Sequence, residues 1–176
     1  MSTKFNFVKL DATTRALMIE EIKRAEKSGQ LYFSTRFNDT GTRGWVAWLT
    51  SAAEQYDEHW LAYQLEMSGA MKHLETKAKP KGGYTVSHVP DTAAETMAEG
   101  QFNRFYMAAI CRRAIEAGKP NVSVYRAKHR GAPRPESKAL EGTSQNASTL
   151  LQELQNKELS FKCDLLKPNS GLSLDY

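Results

Sequence analysis

Trp45, Trp48, Leu49, Ala52, Ala53 and Tyr56 recur at spacings of three and four residues, the signature of one face of a helix. Asp57 follows as a fresh cap, and Trp60, Leu61, Gln64, Leu65, Met71 and Leu74 continue the apolar pattern. Three tryptophans so placed form either a binding platform or a seam between two packed helices. Burying rings of that size satisfies the seam more simply. A chain organised this way must build a helical core.

The rest of the chain extends the pattern. Asp11 reads as the N-cap of a first helix, with Leu10 as a staple before it and Leu17, Met18, Ile22 and Ala25 as its inner stripe. Gly29 suits the left-handed residue after that helix. Leu31 to Phe37, rich in aromatic and β-branched residues, predicts a short strand. Residues 76–89 read as a loose basic loop punctuated by Pro80 and Gly82-Gly83, with Tyr84-Thr85-Val86 as a second short strand. Asp91 is placed to cap the longest helix, Thr92 to Ala117, whose buried stripe is Met97, Ala98, Phe102, Phe105, Tyr106, Ala109 and Ile110. Gly100 is a weak point in it, costing about 1 kcal/mol relative to alanine. Asn121 to Lys128 alternates as a strand should. Gly131, Pro133 and Pro135 then argue against regular structure over about 129–142. A last helix is expected over about 148–157, burying Leu150, Leu151 and Leu154, before a turn and a short terminal strand. The expectation is an α+β fold, mainly helical, in which a single domain over 1–176 carries four or five helices and a small sheet that includes residues 122–127.

Two cysteines, Cys111 and Cys163, form no framework and no Cys-x-x-Cys pair, so reduced thiols are expected. No apolar run approaches the roughly 20 residues of a membrane span, and Met1 to Phe7 does not read as a secretory signal. A cytoplasmic protein without membrane contact is the expectation, with its oligomeric state left open.

Charge distribution carries the functional lean. From Asn103 to Lys138 nine positive side chains face only Glu116 and Glu136, a net +7, whereas the remainder is slightly acidic at −3. Arg112 and Arg113 fall near a helix C-terminus, where the dipole favours cations. Arg126, Lys128, His129, Arg130 and Arg134 run off a strand into a Gly/Pro-rich loop and lack that explanation. Guanidinium groups held this way suit phosphates or an acidic surface, and Tyr125 adds a ring for stacking. Val124-Tyr125-Arg126 is similar to the strand arginine of ADP-ribosyltransferases, but the Ser-Thr-Ser strand and acidic pair of that family do not follow.

Catalytic patterns are weak. His59, His73, His88 and His129 have no metal-ligand spacing, neither a nucleophile elbow nor a dinucleotide fingerprint occurs, and Glu20-Glu21 and Asp57-Glu58 diverge on a helix. No cofactor is expected. The expectation is a non-enzymatic binding protein that uses Arg112, Arg113, Tyr125, Arg126, Lys128, Arg130 and Arg134 against nucleic acid or an acidic protein or ribonucleoprotein surface. The alternative is a small enzyme built on Asn103, Arg104, Tyr125, Arg126 and Glu136. A third reading makes the arginines internal ion-pair partners that tie the Pro-rich loop down.

Leu10-Asp11 to Tyr32, Ala93-Ala94-Glu95 through Glu99-Gly100-Gln101-Phe102-Asn103-Arg104-Phe105-Tyr106, Val124-Tyr125-Arg126-Ala127-Lys128, Pro133-Arg134-Pro135-Glu136-Ser137 and Pro168-Asn169-Ser170-Gly171-Leu172 together resemble an uncharacterised family of small bacterial and mobile-element proteins. The resemblance brings no activity with it. Its setting suggests one role, a counter-defence inhibitor gripping a nucleic-acid-handling complex.

Overall fold

Residues 4–176 are described in a computed structural model. Helix α1 (Ala12–Lys27) begins where expected, with the Asp11 carboxylate accepting from the Thr14 amide at 2.9 Å. Asn38 caps α2 (Asp39–Gln55) and Asp57 caps α3 (Glu58–Met67) in the same manner. Trp45, Leu49, Ala52 and Ala53 are fully buried, and the Trp45 indole N–H donates to the Tyr32 carbonyl at 2.9 Å. Trp48 and Trp60 are half-buried at the edge of that seam. Helix α3 stops at Met67, so Met71 and Leu74 lie beyond it.

Helix α4 (Ala93–Glu116) is the axis of the fold, packed by α1, by α3 and by α6 (Ala147–Gln155). All seven residues of its expected stripe are buried, but so are Gln101, Asn103 and Arg104. A helix enclosed on every side has no polar face to spare, so these groups must find partners inside. Its N-cap is Thr92 without a side-chain cap bond; Asp91, the expected cap, lies one residue too early.

Strand β3 (Asn121–Arg126) is the centre of an antiparallel sheet ordered β4-β3-β5, flanked by β4 (Ser144–Asn146) and β5 (Leu172–Asp175). Val122 pairs with Gln145 and Val124 with Leu174, and both valines are buried beneath α4 as their alternation requires. Two short helices, α5 (Pro135–Leu140) and α7 (Lys157–Lys162), bring the number of α-helices among the described residues to seven. Helix α5 begins at Pro135 itself: at the first helical position the missing N–H is not needed and the fixed φ favours the turn. The α+β, mainly helical class stands.

Three segments differ from their expected form, the first being about 129–142, where α5 forms although Gly131, Pro133 and Pro135 argue against regular structure. Leu31 to Phe37 belongs to no sheet and makes only an isolated bridge between Phe37 and Met71. Its alternation persists as burial, because Tyr32, Ser34 and Arg36 turn inward while Phe33 and Thr35 remain exposed. Residues 74–88, overlapping the expected basic loop over 76–89, form a hairpin in which the expected strand at Tyr84-Thr85-Val86 lies in β2 (Tyr84–His88) and pairs with an unexpected β1 (Leu74–Ala78). Gly82 and Gly83 make its turn at φ of +90° and +79°, which side chains resist. None of the described helices is long and apolar enough to cross a membrane.

Candidate functional site

The basic segment lies against carboxylates. Arg112 donates to Glu20 at 2.8 Å and to Glu21 at 3.3 Å, joining the end of α4 to α1. Arg113 donates to Asp11 at 2.7 Å and to the Thr14 hydroxyl at 2.9 Å. The Thr14 amide and the Arg113 guanidinium together hold the Asp11 carboxyl below its ordinary range. Arg126 reaches Glu141 at 2.8 Å, the Ser170 carbonyl at 2.8 Å and the Ser137 hydroxyl at 3.1 Å, which pins α5 and the 168–171 turn to β3. Arg134 donates to the Pro168 carbonyl at 2.8 Å. Tyr125 donates to the Asn6 carbonyl at 2.7 Å and accepts from the Val8 amide, so its hydroxyl fastens the N-terminal segment.

Lys128 and Arg130 form the densest cluster. The Lys128 side chain is 2% exposed and bonds Glu99 and Glu95, while Arg130 donates to the same two acids at 2.9 Å. Burial raises the Glu99 carboxyl, and the two cations oppose that rise. These contacts are what the third reading requires: the strand exit and its loop are tied to α4 by their own charges.

The alternative catalytic set is not assembled. Asn103 donates to the Leu172 carbonyl at 2.8 Å and accepts from the Ser173 hydroxyl at 2.7 Å. Arg104, fully buried, donates to the carbonyls of Leu154 and Gln30, closing the end of α6 and the turn after α1. Burial lowers this guanidinium to about 10. Glu136 is exposed on α5. No hydrogen bond among the described residues joins any two of the five.

The segment that the sequence leaves largely as a loop is an open basic feature. From Lys72 to His88 four lysines, Lys72, Lys77, Lys79 and Lys81, face a single acid, Glu75. Only Glu75 and Ser87, directly opposite each other, are half-buried among the strand residues of the hairpin. Arg36 grips Glu75 with two bonds, at 2.7 and 3.1 Å, and Lys77 bonds it from the side. Tyr84 is 75% exposed and Val86 63%. The available signal was Lys77, Lys79 and Lys81 at alternate positions before Gly-Gly and a β-prone Tyr-Thr-Val.

Beside the hairpin base, a cavity of about 200 Å³ opens between α4 and α7. Tyr32 and Phe161 stand edge to face at its side, with ring centres 4.5 Å apart. Met97, Gly100, Gln101 and Arg36 complete much of the lining. Gly100 has ordinary helical torsions, and a Cβ there would meet nothing within 4 Å. A second groove, about 740 Å³, runs between the N-terminal segment and α3 past Phe5, Tyr56, Trp60 and Tyr63.

No protein-family model, curated protein or solved structure matches the chain.

Proposed function

We propose that this is a non-enzymatic binding protein for a polyanionic partner, nucleic acid or an acidic protein surface, with the β1–β2 hairpin as its contact element. The observation that supports this reading is the hairpin's charge: three lysines, Lys77 on β1 and Lys79 and Lys81 at the turn, with one acid, on a ribbon turned almost entirely to solvent. Cations gathered on an exposed ribbon raise local anion concentration and give salt-sensitive association. Arg112, Arg113, Arg126 and Arg130 enter mainly as scaffold, since an incoming anion would have to displace carboxylates already in place, while Arg134 holds the Pro168 carbonyl. The resemblance to mobile-element proteins adds a setting in which such a surface would grip a nucleic-acid-handling complex.

The test compares two triple variants. Lys77→Ala/Lys79→Ala/Lys81→Ala is expected to weaken binding to heparin and oligonucleotides by about tenfold or more and to flatten its salt dependence, with an unchanged melting temperature. Arg126→Ala/Arg130→Ala/Arg134→Ala is expected to lower the melting temperature instead, because it removes contacts that hold α5 and the loop. Retention of full affinity by the lysine variant would sink the proposal.

A further inference from the structure

We propose that the cavity floored by Gly100 seats one unstacked base of a single-stranded nucleic acid whose phosphates lie along the lysine hairpin. This rests on the polyanion reading above and names its ligand. Gly100 stands in the middle of the longest helix, where alanine is the better helix former and neither a turn nor a close neighbour calls for glycine. Its missing side chain keeps the cavity floor open.

The walls suit a flat ring. Tyr32 and Phe161 present an edge-to-face pair, Phe161 is 52% exposed, and Met97 supplies an adaptable apolar contact. Ser34, Thr96 and Gln101 add hydrogen-bonding groups to the lining, as a heteroaromatic edge needs. Arg36 links the two parts of the site, lining the cavity while bonding Glu75 on β1. Its guanidinium is held by Glu75, so it braces the hairpin against the cavity rather than contacting phosphate.

Charge and shape choose the occupant. A second copy of the chain would bring like-charged lysine ribbons together, which opposes pairing. An acidic peptide answers the lysines but offers no ring to an aromatic cavity. Duplex nucleic acid offers phosphates, yet its bases are stacked and paired and must be extruded at a cost. A single strand presents both phosphates and open base faces.

The experiment uses the full chain and fluorescence anisotropy with three probes: a single-stranded oligonucleotide of about 12 nucleotides, an abasic strand of equal length, and the corresponding duplex. The wild type is expected to prefer the base-bearing strand over the abasic one by about tenfold, the scale of one stacked base. Gly100→Leu, which fills the cavity, is expected to reduce that preference to near unity while leaving abasic affinity unchanged. Phe161→Ala, a change at an exposed side chain, is expected to do the same should the leucine variant fold poorly. The lysine triple variant weakens all three probes. Equal wild-type affinity for base-bearing and abasic strands overturns the base seat alone, as does a preference that survives both cavity variants. Failure of every probe to bind overturns the base seat and the nucleic-acid side of the polyanion reading together. Polyglutamate competing as well as the base-bearing strand assigns the hairpin to an acidic protein and also overturns the base seat.

Discussion

Glu58 is 3% exposed in the first turn of α3, and its carboxylate accepts from the Phe5 amide at 2.8 Å. Burial, more than any neighbour, raises this carboxyl above its ordinary value, and Asp57 and Glu99 add to the rise. A carboxyl whose folded value exceeds its unfolded value supports folding below the unfolded value. That support is lost as pH rises through the folded one. Glu58→Gln keeps an oxygen for Phe5 and removes the ionisation. The variant is expected to melt above the wild type at pH 7, with the gap closing near pH 4, and thermal melts at the two pH values check it. A larger gap at the lower pH would contradict the assignment. Residue chemistry of this kind was the least legible part of the sequence. Asp57 is the cap its sequence predicts, but nothing local marks Glu58, its neighbour, as enclosed by the N-terminal segment. Likewise, Lys128 reads as one cation of a basic binding surface but is sealed by Glu95 and Glu99 of α4, far away in the chain. Pairings across helices leave no local mark.

At the scale of elements, local signals served well where the element is stabilised locally. The caps Asp11 and Asp57, the tryptophan periodicity and the Val122/Val124 alternation all name structures that exist. They failed where a distant contact decides: Leu31 to Phe37 has strand composition but finds no partner strand, and its inward side chains build the cavity wall instead. The hairpin is the opposite case, a pair of short strands with little apolar content and no sheet to join. An isolated two-stranded ribbon is marginal in water, so its order depends on the Arg36–Glu75 grip at one face. Arg36→Ala is expected to speed hydrogen exchange across residues 74–88 at least several-fold, with the amides of α4 and the overall melting temperature barely altered. Protection that is unchanged in the hairpin, or lost throughout the molecule, would show that the grip is not what orders it.

For the whole molecule, stability and the proposed contact surface are separate. Every buried layer converges on α4: the tryptophan helices on one side, α6 on another, and β5, which brings Leu172 and Leu174 into the core and satisfies Asn103. The hairpin contributes no residue to that core. Its two ends meet, the Val89 amide donating to the His73 carbonyl at 2.9 Å. A short Gly-Ser turn can therefore replace residues 74–88 without stretching the chain or opening the interior. Truncation after Gly171 removes a similarly small element, but one whose two leucines are completely buried; each is worth about 2–5 kcal/mol by the usual cost of core deletions. The hairpin replacement is expected to unfold cooperatively within about 1 kcal/mol of the wild type in urea while losing heparin and oligonucleotide binding. The truncation is expected to lose its cooperative transition. Near-ultraviolet circular dichroism during urea titration, paired with anisotropy on the same samples, reads both outcomes. A hairpin replacement that still binds polyanions would return the contact to the strand exit around Arg130 and Arg134, where the sequence alone first places it.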